Sequence, residues 1–151
     1  MRYKLLNIET IDTTPILYMR RTGAYGTENA ALMARFKDEL KKQNLFKGAT
    51  ILGIAQDDPT KTTAQDCRYD VCLLLNKDVA VSHPFKRGRF EGGKFAVFKL
   101  EHTAEAISAW YLNLENNIIQ YRLNPRNFPI IERYKNELIE QGFCEMLLPI
   151  T

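Results

Sequence analysis

One carboxylate stands out by the company it keeps. In the stretch NFPIIERYKN at 127–136, a strand's two-residue period puts Phe128, Ile130, Glu132 and Tyr134 on one face and Ile131, Arg133 and Lys135 on the other. The first face is apolar and aromatic apart from Glu132, and such a face normally turns toward a core. An acid in that position has two readings. It is either a structural ion pair with Arg68, Arg133 or Lys135, or a strand-end side chain reaching water, because Glu is rarely buried without a partner; or it is held for a guest. An acid among aromatic rings suits an amphipathic cation or a polarised planar compound, since ring faces and carboxylate both attract positive charge. Without such a guest, burial disfavours the ionised form and raises the pKa, so ligand binding and proton affinity are linked at Glu132.

Other chemistries find little support. His83 sits beside Pro84 in a loop and His102 precedes a helix cap, so no Ser/His/Asp set is recognisable. Cys67, Cys72 and Cys144 are odd in number, lack CxxC spacing, and with two scattered histidines make no metal-ligand set. Gly92-Gly93 alone is no phosphate or dinucleotide fingerprint. No metal and no cofactor are expected.

The chain has 151 residues, enough for one domain with its own core. A hydrophobic share of 45% with 26% charged residues is ordinary for a globular protein, and 11% aromatics is slightly rich. The net charge of +3 is too small to require a polyanionic partner, so nucleic-acid binding is not expected. The densest basic cluster, FKRGRF at 85–90, reads as a solvated turn, with an anion contact as the alternative. No apolar run approaches a membrane span, no apolar leader precedes Arg2, and the cysteine usage fits the cytoplasm.

The elements that position these residues follow from periodicity and punctuation. YKLLNIETI and PILYMRR read as strands joined by a turn at Asp12–Pro15. Thr27 is the expected N-cap of a helix to about Lys42, with Leu32, Phe36 and Leu40 along its buried stripe. ATILGIA and CRYDVCLLL are two further strands, the second placing Tyr69 on one face with Val71 and Leu73, as core or as a pocket floor. GRFEGGKFAVFKL resumes strand character. Thr103 then caps a second helix whose stripe runs Ile107, Trp110, Tyr111, Leu114, Ile118, Tyr121. PIIERYKN and FCEMLLPI close the chain as strands.

The order strand, helix, strand, strand occurs twice, with repeat one at about 1–78 and repeat two at about 86–151. The expected fold is α+β: duplicated strand-helix-strand-strand units forming one antiparallel sheet, two main helices on one face, and a cleft between the halves. Clefts at such junctions commonly hold ligands. Laid on each other, the halves put Gly53 opposite Glu132, a residue without a side chain where the other half carries an acid.

Four segments together resemble the GyrI-like small-molecule binding domain family, the fold of the gyrase-inhibitory protein and of effector-binding domains in multidrug-responsive regulators such as BmrR and Rob. They are RRTGAYG at 20–26, GIAQDDP at 53–59 with CRYDVCLLL at 67–75, GGKFAV at 92–97, and PIIERY at 129–134. Phe95 and Ile131 stand where the family often has Tyr and Phe, and Gln56 replaces a frequent aromatic. The resemblance implies that the family's central pocket acid maps onto Glu132 and that Trp110 and Tyr111 are the matching aromatic wall, although aromatics at helical spacing are also ordinary core. The implied ligand set is Glu132, Trp110, Tyr111, Tyr134, Tyr69 and Phe128. The implied function is a stand-alone protein that senses or sequesters amphipathic aromatic or cationic compounds, in the manner of multidrug binding and toxin resistance. Some relatives are hydrolases of cyclopropanoid DNA-alkylating natural products; in that alternative Glu132 and Tyr134 would be the catalytic residues. A further alternative is a gyrase or regulator partner, contacted through Lys86, Arg87 and Arg89.

Overall fold

The computed structural model describes residues 3–151. Eight strands, β1 (Tyr3–Ile11), β2 (Thr14–Thr22), β3 (Thr50–Ala55), β4 (Arg68–Leu74), β5 (Lys86–Phe90), β6 (Gly93–Glu101), β7 (Ile131–Lys135) and β8 (Phe143–Ile150), form a single antiparallel sheet in the order β1-β6-β8-β7-β3-β4-β2-β5. The helices are α1 (Thr27–Lys42), α2 (Ala104–Leu112), α3 (Leu114–Gln120) and α4 (Asn136–Glu140). Strands β2, β3 and β4 with α1 form one half, and β6, β7 and β8 with α2 and α3 form the other; β3 and β7 meet in the middle. Each half takes its outer strand from the other part of the chain, β1 pairing with β6 and β5 with β2.

That exchange curls the sheet. The two-residue turns β1–β2 and β5–β6 each carry the chain between opposite ends of the strand order, so the corners must touch. Gly92 lies where they do: at φ 73° its backbone is left-handed, and a Cβ there would run into the Ile11 carbonyl oxygen and stand 2.8 Å from the Asp12 carbonyl carbon.

Alternation along the strands divides the apolar residues between two faces. Leu17, Ile51, Val71 and Leu73 pack under Leu32, Phe36 and Leu40 of α1, and Ala96, Phe98, Met146 and Leu148 pack under Ala106 and Trp110 of α2. The opposite face curls around Leu52, Ile54, Cys72, Phe90, Phe95, Val97, Ile131 and Leu147. Arg133 and Glu145, both fully buried, pair there at 2.8 Å, and Glu9 completes the network on Arg133. Being hydrogen-bonded and charge-matched, these ions avoid the cost of a lone buried charge.

Three expectations change. Thr27 is the first helical residue of α1 and Gly26 the N-cap, with no side-chain cap. The second helix is two, because Asn113 leaves helical geometry at φ −100°, ψ 9°. FKRGRF is no turn: Lys86–Phe90 is edge strand β5, held by burial of Phe85 and Phe90, while Lys86, Arg87 and Arg89 remain exposed. The short helix α4 lies between the two segments expected as closing strands and takes its first residue, Asn136, from the first of them. Thr103 does cap α2, its side chain accepting from the Ala106 N–H at 3.1 Å. Thr103→Ala removes that acceptor and is expected to cost about 1 kcal/mol in denaturant unfolding.

Candidate functional site

Because β3 and β7 meet at the centre of the sheet, the register sets Gly53 directly across from Glu132. Glu132 projects on the helix-covered face into the floor of a cleft of about 440 Å³, with Gly53 beneath it and the Tyr69 hydroxyl. The floor is Tyr69, Glu132 and Tyr134; one wall is the α1 shoulder of Asn29, Ala30, Met33, Ala34 and Lys37; His102 closes the far side. Part of Glu132 touches the open space, yet protein surrounds its carboxyl on nearly every side.

The Glu132 Oε1 accepts two hydrogen bonds, from the Tyr69 hydroxyl at 3.0 Å and the Tyr134 hydroxyl at 2.9 Å. No protein donor reaches Oε2 among the described residues. The three cations that the sequence offered as mates for the acid are committed elsewhere. Arg68 pairs with Asp57, Arg133 with Glu9 and Glu145, and Lys135 with Glu145. Arg133 and Lys135 are excluded by parity, since alternate residues of β7 point to opposite faces. Desolvation therefore raises the Glu132 pKa above the ordinary carboxylate range, only partly offset by the two tyrosine donors. Burial, reinforced by the charge of Glu132, pushes the Tyr69 and Tyr134 hydroxyls upward, so both remain protonated donors.

Gly53 is what makes this arrangement possible. A Cβ at that position would overlap the Tyr69 hydroxyl and stand 2.7 Å from Glu132 Oε1. The absent side chain leaves the volume in which carboxylate and phenol meet.

Of the aromatic residues expected around the acid, Tyr69 and Tyr134 touch it. Tyr111 lies on the α2 side, 43% exposed, in a neighbouring hollow with Gln56, Ile130 and Phe128; its hydroxyl is pushed upward by burial and by the Glu132 charge. Trp110 sits fully buried behind Tyr111, edge-on at 5.1 Å, packed on Phe98 in the core beneath α2. Phe128 departs from the expected parity. It precedes β7, outside the regular strand, and its ring packs edge-on against Phe90 and Phe95 of the opposite face. Tyr25, in the turn before α1, bridges Asp57 and Arg68: its hydroxyl donates to the Arg68 carbonyl and accepts from the Asp57 N–H.

Lys37 and His102 are cleft residues that the sequence reading did not select. Asn29, Met33 and Lys37 recur every four residues one position beyond the stripe Leu32, Phe36, Leu40. A residue so placed sits on the shoulder of the buried face, and that offset was the available signal. His102 reaches the cleft only through the tertiary fold, its ring 5.3 Å from that of Tyr134.

Comparison with known proteins places this geometry in context. The model of the GyrI-like small-molecule binding domain matches residues 6–151. The SPbeta prophage-derived protein YosT of Bacillus subtilis (strain 168), whose name describes a candidate transcriptional regulator, is 42% identical over 146 residues, covering 96% of this chain and 98% of YosT. Among solved structures, the EcmrR C-terminal domain superimposes with a TM-score of 0.74 at 11% identity, over 100% of this chain and 99% of that domain. In the EcmrR–DNA complex the TM-score is 0.73 at 12% identity, and this chain covers 58% of that longer chain. SAV2435 bound to tetraphenylphosphonium superimposes with a TM-score of 0.59 at 14% identity, over 100% of this chain and 94% of that one.

Proposed function

The chain belongs to the GyrI-like small-molecule binding domain family, and on that premise we propose that it is a receptor that senses or sequesters aromatic, cationic small molecules in the cleft between its halves. The carrying observation is Glu132: a carboxylate on a cleft floor with two phenol donors on one oxygen and, among the described residues, no protein donor on the other and no ion-pair partner. A ligand cation would supply the missing charge, with Oε2 as its acceptor and Tyr69 and Tyr134 as the surrounding rings. Tyr111 would close over the ligand from α2, while Trp110 and Phe128 would act as packing behind the wall. SAV2435, a fold relative bound to tetraphenylphosphonium, makes that cation a sensible first probe. Reading the halves as a duplicated unit accounts for the position of the cleft, on the boundary where β3 meets β7.

Among the described residues no helix is long and apolar enough to cross a membrane. The regulator named among the relatives makes a regulator partner a natural expectation, with the exposed Lys86, Arg87 and Arg89 as the first surface to vary.

The direct test is titration calorimetry with tetraphenylphosphonium, combined with mass spectrometry of the compound after prolonged incubation. Saturable binding with the compound recovered intact is the expected result. No binding by this or related aromatic cations contradicts the receptor. Conversion of a cyclopropanoid compound, lost in Glu132→Gln, would replace it with the hydrolase reading.

A further inference from the structure

The cleft holds a second unmatched charge. Lys37 lines the same hollow as Glu132, half-buried on the shoulder of α1, and has no ion-pair or hydrogen-bond partner among the described residues. Its position is fixed, because Leu32, Phe36 and Leu40 hold α1 to the sheet, and Ala30 and Ala34 leave open space beside it. Desolvation, with Lys41 one turn further on, pushes the Lys37 pKa down. His102 faces the same space, and desolvation together with the Lys37 charge lowers its pKa, favouring the neutral imidazole at neutral pH.

Elsewhere this fold matches the charges it withdraws from water. Asp70 holds Arg20 through two bonds at 2.6 and 2.8 Å, and Arg133 and Glu145 hold each other. In the cleft, by contrast, one acid and one base share a single hollow without forming an ion pair with each other. A ligand that is only a cation would satisfy Glu132 but meet repulsion from Lys37.

We infer that the preferred ligand is a zwitterionic aromatic compound, its cationic end at Glu132 and an anionic group, such as a carboxylate, at Lys37, with the His102 imidazole as a neutral hydrogen-bonding neighbour. This deepens the receptor reading and rests on it. An anion at Lys37 offsets the desolvation of its ammonium as the cation offsets that of the Glu132 carboxylate, so one molecule of no net charge relieves both desolvated groups. Compounds bearing one charge relieve one and oppose the other.

The test compares (4-carboxybutyl)triphenylphosphonium with its methyl ester, which keeps the cation and removes the anion. Calorimetry is done on the wild-type protein, Lys37→Met and Glu132→Gln. The acid is expected to bind wild type about tenfold more tightly than the ester, about 1.4 kcal/mol. In Lys37→Met that preference should vanish, with the ester bound at least as well as before. Equal affinities in wild type, or a preference that survives Lys37→Met, overturn the inference while leaving the receptor in place. Binding of neither compound overturns both. If Glu132→Gln leaves both affinities unchanged while Lys37→Met abolishes the preference, the role of Glu132 fails and the assignment of Lys37 stands.

Discussion

Glu132→Gln is expected to lower affinity for tetraphenylphosphonium by about 100-fold while the fold persists. The substitution keeps shape and volume, and the new amide oxygen can still accept from Tyr69 and Tyr134, so the site stays assembled. What disappears is the charge. Removing one member of a desolvated charge pair costs about 2–5 kcal/mol, and about 2.7 kcal/mol corresponds to the hundredfold loss. The same carboxyl links binding to pH. Desolvation raises its pKa in the free protein, and a bound cation favours the ionised form. Affinity should therefore rise with pH below that raised value and level off above it, a dependence absent from Glu132→Gln.

Stability moves the other way. The folded pKa of Glu132 lies above that of the unfolded chain, so its favourable contribution is complete below the ordinary carboxyl range. That contribution is lost as pH rises through the folded value. At neutral pH the ligand-free Gln variant should then melt higher than wild type, and thermal unfolding at two pH values would measure it. One substitution that weakens binding and raises Tm separates an acid held for a ligand from one that supports the fold.

Gly53→Ala is the second large effect, at a position that touches no ligand group of its own. The added methyl occupies the space shared by the Tyr69 hydroxyl and Glu132 Oε1, so one of the two must move. The Tyr69 ring is buried among core side chains, whereas Glu132 borders the open cleft and has space to swing into. Glu132 should be displaced, with affinity for the cation reduced by about tenfold or more. Overpacking at this site costs about 1–3 kcal/mol of stability. Gly88→Ala is the control: its Cβ would stand 2.9 Å from the Tyr18 ring, in strand β5 and away from the cleft. It should lower stability without altering cation affinity. Equal affinities in wild type and Gly53→Ala would show that the room beside the acid is incidental.

Much of this architecture was legible in the chain because each signal was local. Strand alternation aimed Glu132 and Tyr134 at one face, and the β3–β7 register pairs Gly53, the residue without a side chain, with that acid. The capping side chain of Thr103 and the stripe Leu32, Phe36, Leu40 behave as their sequence pattern dictates. What failed to be legible depended on contacts between distant segments. Phe128 escaped the strand period because its ring finds Phe90 and Phe95 across the curled sheet. FKRGRF became an edge strand because β2 offered it a free side, even though its composition reads as a turn. His102 entered the cleft from a loop, brought there by the meeting of the two halves. Lys37 carried a signal in its helical spacing, but a lysine on a helix shoulder ordinarily belongs to solvent.

The central claim is that the Glu132 carboxyl is desolvated, unpaired with any cation among the described residues, and completed by a ligand's positive charge. Its most direct measurement is a carbon-13 NMR titration of the Glu132 side-chain carboxyl, without ligand and with saturating tetraphenylphosphonium. The account predicts a midpoint above the ordinary glutamate range in the free protein and a clear downward shift when the cation is bound. A normal midpoint in the free protein, or one that the cation leaves unmoved, would contradict it.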